Sequence, residues 1–295
     1  MTGSPSRWDG FAALDWSGAA GPRQPGIAIA TCRPGDDAPV LVRPGHVWSR
    51  DEAFEWTLAT ARAGAWLIGF DLSPAFPFLD ASDYFPGLPD SPPNARALWT
   101  FVDDRCRDQD NLGASRFADR PELAPYFRRH GQGTGALFGP DGHGRLRATE
   151  RAQRERLGLN PTSCFNLVGA SQVGKASLTG MRLYRRLDGT VPLWPFDPRP
   201  DEGSVVVEIY TTVAAQAAGR RPGRAKIRTA PELDEALRVL GSQPAPPLPH
   251  YRDHATDALV SAAWLRRVAD EAAFWSPDGL TEAVRRTEGW TFGVP

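Results

Sequence analysis

The sequence predicts an α/β fold built on a mixed sheet. Two short apolar runs, "GFAALDWSG" and "GIAIATCR", flank a Gly/Pro-rich loop near the start, at the spacing of a hairpin. Strand-like and helix-like segments then alternate. "RDHATDALVSAAWLRRVADEAAFW" closes the pattern with Ala and Leu recurring at helical spacing.

Taken in order, the first strand is apolar up to Asp15, where the chain turns, and a third strand is expected over "PVLVRPGHVW". "SRDEAFEWTLATARAG" carries a Ser49 cap, early acids and a Gly64 stop, which is the grammar of a helix. "AWLIGFDLS" reads as a buried strand ending at Asp71. From Ser73 to about Ser163 the text changes to turn-rich stretches around one helix, "ARALWTFVDDRCRDQ". Residues 73–163 are therefore expected to be an insertion with its own short helices, inside a single domain spanning 1–295. Segments of that kind tend to be lids or to contact substrate. Regular structure resumes with a helix over "GKASLTGMRLYRRL", a strand over "GSVVVEIYTT" and a helix over "TAPELDEALRVLG". The long helix and a last strand over "EGWTFGVP" complete the expectation.

At 295 residues the chain can bury a sizeable core without disulfide or metal staples. Its three cysteines form neither a disulfide framework nor a zinc-site spacing, which fits a reducing cytoplasm. No run approaches the length of a membrane span. A soluble, cytoplasmic protein is the expectation.

Net charge is −1, so nothing global announces a polyanion partner. Charge is unevenly spread, however. Between the terminal acids of the stretches Glu155–Asp188 and Glu208–Glu232, every charged residue is basic. Lys175, Arg182, Arg220, Arg221, Arg224 and Lys226 are the candidate nucleic-acid contacts there, lining an anion-binding groove. The bland alternative is a solvated basic face.

One of these lysines sits in a tempting motif. Gly169, Gly174 and Lys175 match G-x-x-x-x-G-K, but Ala176 stands where a magnesium-binding hydroxyl belongs, and Ser177 comes one residue late. This is not a nucleotide-binding loop. Lys175 and the adjoining helix start could still meet a backbone phosphate.

Three acids occupy positions that core sequence normally excludes: Asp15, Asp71 and Asp257. Singly, each has an ordinary explanation in turn formation or in the helix dipole. If the first and fourth strands are parallel neighbours, however, Asp15 and Asp71 meet at the carboxyl edge, where open α/β sheets bind ligands. The long helix can present Asp257 there, with His254 three residues earlier on the same face. Carboxylates with an imidazole suit Mg2+ or Mn2+, and a pair of such ions can clamp a phosphodiester.

With those residues in place, the chain resembles the ribonuclease H-like nucleases, particularly the Holliday-junction-resolvase branch. More narrowly, it resembles the family called domain of unknown function 429, predicted nucleases of that fold. The resemblance rests on "ALDWSG", "LIGFDLSPAFP", "QVGKASLTGM", "VVVEIYTT", "DHATDALVSAAWLRR" and "EGWTFG", taken in order. It implies a five-stranded mixed sheet flanked by helices, with the long insertion after the fourth strand. It also implies metal ligation by Asp15, Asp71 and Asp257, with His254 as a further ligand or proton carrier. Glu208 matches a family acid and would be a fourth ligand, or else a charge at a strand edge. Asp253 is expected to cap the last long helix. The leading expectation is a metal-dependent phosphodiesterase acting on DNA or RNA. The alternatives are a phosphotransferase of the actin and sugar-kinase type, or a non-catalytic binding protein on the same fold.

Overall fold

The structure, a computed structural model, describes residues 6–169, 172–221 and 226–295. The expected hairpin forms from β1 (Gly10–Asp15) and β2 (Ala28–Cys32), paired antiparallel with Phe11 opposite Cys32. β3 (Val40–Leu41) adds an edge of only two residues. α1 (Arg50–Arg62) follows, started by a capping box in which Ser49 accepts from the Glu52 amide and the Glu52 carboxylate accepts from the Ser49 amide. β4 (Trp66–Asp71) returns parallel to β1.

Between β4 and α4 lie α2 (Ala95–Arg105), a small hairpin of β5 (Arg128–Arg129) with β6 (Gly133–Thr134), and α3 (Ala148–Leu157). α4 (Val173–Leu187), β7 (Leu193–Trp194), β8 (Val205–Ile209) and α5 (Thr211–Ala217) resume the alternation. α6 (Ala230–Val239), α7 (Asp253–Val268), α8 (Ala272–Trp275) and α9 (Glu282–Thr287) complete the chain.

The main sheet has six strands in the order β3-β2-β1-β4-β8-β7, which corrects the expected five. The addition is β7, two residues held between prolines and paired parallel to β8, too short to show an alternation in sequence. The terminal "EGWTFGVP" is not a strand. Its Phe292 amide bonds to the Glu208 carbonyl, and its side chains reach into the core.

Alternation along the strands sorts the core into two layers. Ala12, Leu14, Ile68, Phe70 and Val206 face α1, α2 and α4. Phe11, Ala13, Leu67, Val205, Val207 and Ile209 face α5, α6 and α7. Gly69 lets α7 approach, since a β-carbon there would lie 2.9 Å from Leu265 Cδ1. The insertion has no core of its own. Its Phe76, Phe85, Phe117 and Phe127 rings join the first layer, with Phe76 stacked on Phe165 at 4.6 Å.

Candidate metal centre

Asp15 and Asp71 are direct partners in the parallel pairing of β1 with β4, each the last residue of its strand. Partners across a sheet share a face, so both carboxyls project on the α7 side at the carboxyl edge. α7 starts there. Its N-cap is Arg252, with no side-chain bond to the helix, so Asp253 is the first helical residue rather than the cap expected from sequence. One turn of α7 then places His254 and Asp257 beside the strand ends. Asp15, Asp71, His254 and Asp257 all line one cavity of about 700 Å³.

The geometry within it is specific. His254 Nδ1 lies 3.3 Å from Asp15 Oδ2. Gly26 lies against the same ring, since a β-carbon there would be 3.3 Å from His254 Nε2. Asp71 is oriented by Thr211, the first residue of α5, whose hydroxyl donates to Oδ2 at 3.0 Å and whose amide donates to Oδ1 at 3.4 Å. Asp257 Oδ2 accepts from Lys226 Nζ at 3.3 Å. Thr211, Gly26 and the pairing of Lys226 carried no signal in the sequence, because each depends on a fold-level contact.

Crowding of acids in a poorly hydrated place has the expected electrical consequence. Burial, then the neighbouring Asp15, push the Asp71 carboxyl up to about 8. Burial raises Asp257 to about 6 against the pull of Lys226, with Asp15 adding to the rise. Asp15 is raised by burial and held back by its bond to His254. That same bond lifts His254 above the ordinary imidazole value, although burial opposes it.

Glu208, expected as a fourth ligand, does not join the cluster. It pairs across the sheet with Phe70, not Asp71, and therefore points to the opposite face. It borders the cavity, but both its oxygens are engaged. Arg147 Nη2 and Nη1 donate to Oε1 and Oε2 at 2.5 and 2.8 Å, and the Thr291 hydroxyl donates to Oε1 at 2.7 Å. Arg147 is fully buried and also clasps Glu150. Among the described residues, no three His, Cys, Asp or Glu side chains are gathered closely enough to hold a metal ion as they stand. Glu208 faces away from the other acids, and Asp257 is paired with Lys226.

The basic residues disperse. Arg182 is a structural residue, buried, paired with Asp103 and donating to the carbonyls of Gln109 and Gly113. Arg220 lies near Glu232 at 3.6 Å, and Lys226 is committed to Asp253 and Asp257. Arg221 is exposed, and Arg224 lies outside the described residues. Lys175 is exposed and lines the cavity wall opposite α7, next to Gly18. A continuous basic groove is not what these positions form.

Comparison of the chain with protein-family models, with curated proteins and with solved structures found no match.

Proposed function

We propose that the protein is a divalent-cation-dependent phosphodiesterase of ribonuclease H-like build, acting on DNA or RNA. The observation that carries this reading is the in-register pair Asp15–Asp71 at the carboxyl edge, joined by His254 and Asp257 from one helix in a single cavity. The ribonuclease H-like resemblance implies an aspartate on the first strand, an acid ending the fourth and an H-x-x-D helix. The parallel β1–β4 pairing supports it.

The donor set fits a hard cation. Burial makes Asp15, Asp71 and Asp257 harder to ionise than free carboxylates, Asp71 most clearly, and Mg2+ or Mn2+ held by Asp15, Asp71 and, once Lys226 moves, Asp257 would offset that cost. Lewis-acid stabilisation of a charged phosphoryl oxygen is the chemistry such an ion supplies. The chain's own residues do the rest. Asp15 accepts from His254 and so places the imidazole proton on Nδ1, fixing the ring. His254 keeps a protonatable, half-exposed ring at the cavity, suited to moving a proton to or from an oxygen of the substrate. Thr211 locks the Asp71 carboxyl in place. Lys175 and the start of α4 offer positive potential on the facing wall for a strand phosphate.

The test is cleavage of end-labelled single-stranded and duplex DNA and RNA in manganese. Wild type is expected to yield product only with the ion, and Asp15→Asn and Asp71→Asn to yield none. Cleavage that persists in chelator, or that survives Asp71→Asn, would overturn the proposal.

A further inference from the structure

Lys175 and Lys226 are the chain's two lysines, against 34 basic residues of the Lys/Arg class in all, and both line the same cavity. Elsewhere the acids in ion pairs are met by arginine or histidine. At Asp257 the counter-charge is an ammonium. Lys226 Nζ sits 3.2 Å from Asp253 Oδ2 and 3.3 Å from Asp257 Oδ2, acids one helical turn apart on α7. The two acids are not equally dependent on it. Asp253 also pairs with Arg228, whereas the ion pair of Asp257 among the described residues is with Lys226. The lysine is held in register by its neighbour Ile227, buried in the α5–α7 layer, and by the Arg228 amide, which donates to Glu232. Its own side chain is about half exposed.

An ammonium is a compact, strongly hydrated point charge on a flexible stem, without the two-pronged hold of a guanidinium. It can neutralise a carboxylate and still be displaced. We propose that Lys226 is a built-in occupant of the cation position at Asp257, and that a divalent ion entering the cluster must expel it. This inference rests on the proposed function. The expelled ammonium moves to the cavity mouth, where it meets an anionic substrate, so ion and phosphodiester binding favour one another. Of the candidate nucleic-acid contacts, Lys226 then acts only after the exchange.

Two experiments test the exchange without any substrate, with Mn2+ as the probe. The first is calorimetric titration of wild type, Lys226→Met and Lys226→Arg. Lys226→Met should bind Mn2+ about tenfold more tightly than wild type, because two weak ion pairs no longer compete, and Lys226→Arg should not gain affinity. The second uses wild type alone, so it does not depend on a variant folding. Acylation by an amine-reactive reagent, read by mass spectrometry, should rise severalfold at Lys226 when Mn2+ is added, relative to Lys175. Equal Mn2+ affinity in wild type and Lys226→Met, or labelling at Lys226 unchanged by the ion, would overturn the exchange while leaving the metal centre standing. No Mn2+ binding by any of the proteins would overturn both.

Discussion

Asp71 ends a strand beside another acid, and its behaviour in the metal-free protein follows from that position. Its folded value of about 8 stands above the ordinary 3.8, so the folded state holds this proton more tightly than the unfolded chain does. The resulting stability is fully present below 3.8 and is lost as pH rises through about 8. Asp257 contributes with the same sign between 3.8 and about 6, and His254, also raised, likewise loses its contribution on the alkaline side. Melting temperature in chelator should therefore fall as pH rises across this window, and the fall should be shallower in Asp71→Asn. Parallel profiles for the two proteins would mean that Asp71 ionises normally. Glu208 should behave differently. Glu208→Gln would leave the fully buried Arg147 with one acid fewer, a loss of about 3–5 kcal/mol in urea unfolding. Its Mn2+ affinity should match wild type. A large drop in affinity with stability intact would return Glu208 to the metal centre.

Elements whose signals are local were legible in the sequence, and those held by distant partners were not. The hairpin, the Ser49–Glu52 box of α1 and the apolar spacing of α7 are written in adjacent residues. Half of α3 is charged, and it gives no helical stripe. It is fixed by Arg147 and Glu150 and by Gln153 donating to Thr291, more than a hundred residues away in sequence. "YTT" looked like the end of a strand because Thr favours strands, yet it opens α5 and brings Thr211 to Asp71. Three residues of the site were readable because acids stood out in apolar runs. The pairing of Lys226 with Asp253 and Asp257 is not legible in the sequence, because charge runs do not reveal their partners. At the start of α4, Ser177 donates within its own helix to the Val173 carbonyl and is buried, so it does not replace the missing magnesium hydroxyl. ATP binding should accordingly be weak in calorimetry and change little in Lys175→Ala. Tight binding that collapses in the variant would contradict this. Gly18 joins the β1 loop to the same helix, and a β-carbon there would lie 2.0 Å from the Lys175 carbonyl carbon. Gly18→Ala should cost about 1–3 kcal/mol, read by urea unfolding. Unchanged stability would mean that the loop and helix are not in contact.

The whole molecule is tied together near its end. Glu288 is fully buried, and its carboxylate accepts from the amides of Phe78, Leu79 and Ala148, joining the terminal segment to both ends of the insertion. Glu288→Ala would strand three amide donors, at about 1–3 kcal/mol for a buried group left unsatisfied. Hydrogen exchange should accelerate first in residues 73–163, and uniform acceleration would argue against a local clamp. The central claim is that the acids of β1, β4 and α7 converge as a cation site, and thermal melting of the intact chain tests it most directly. Wild type and Asp71→Asn are melted in chelator and in millimolar Mn2+. At about 100 times its dissociation constant one ion adds roughly 2.7 kcal/mol to the folded state. At roughly 2–4 °C per kcal/mol, wild type should gain several degrees in Mn2+. Asp71→Asn should melt above wild type in chelator near neutral pH, relieved of the cost of burying an acid that ionises freely in the unfolded chain, and gain little from the ion. Four identical curves would contradict the convergence of these acids, and the proposed phosphodiesterase with it.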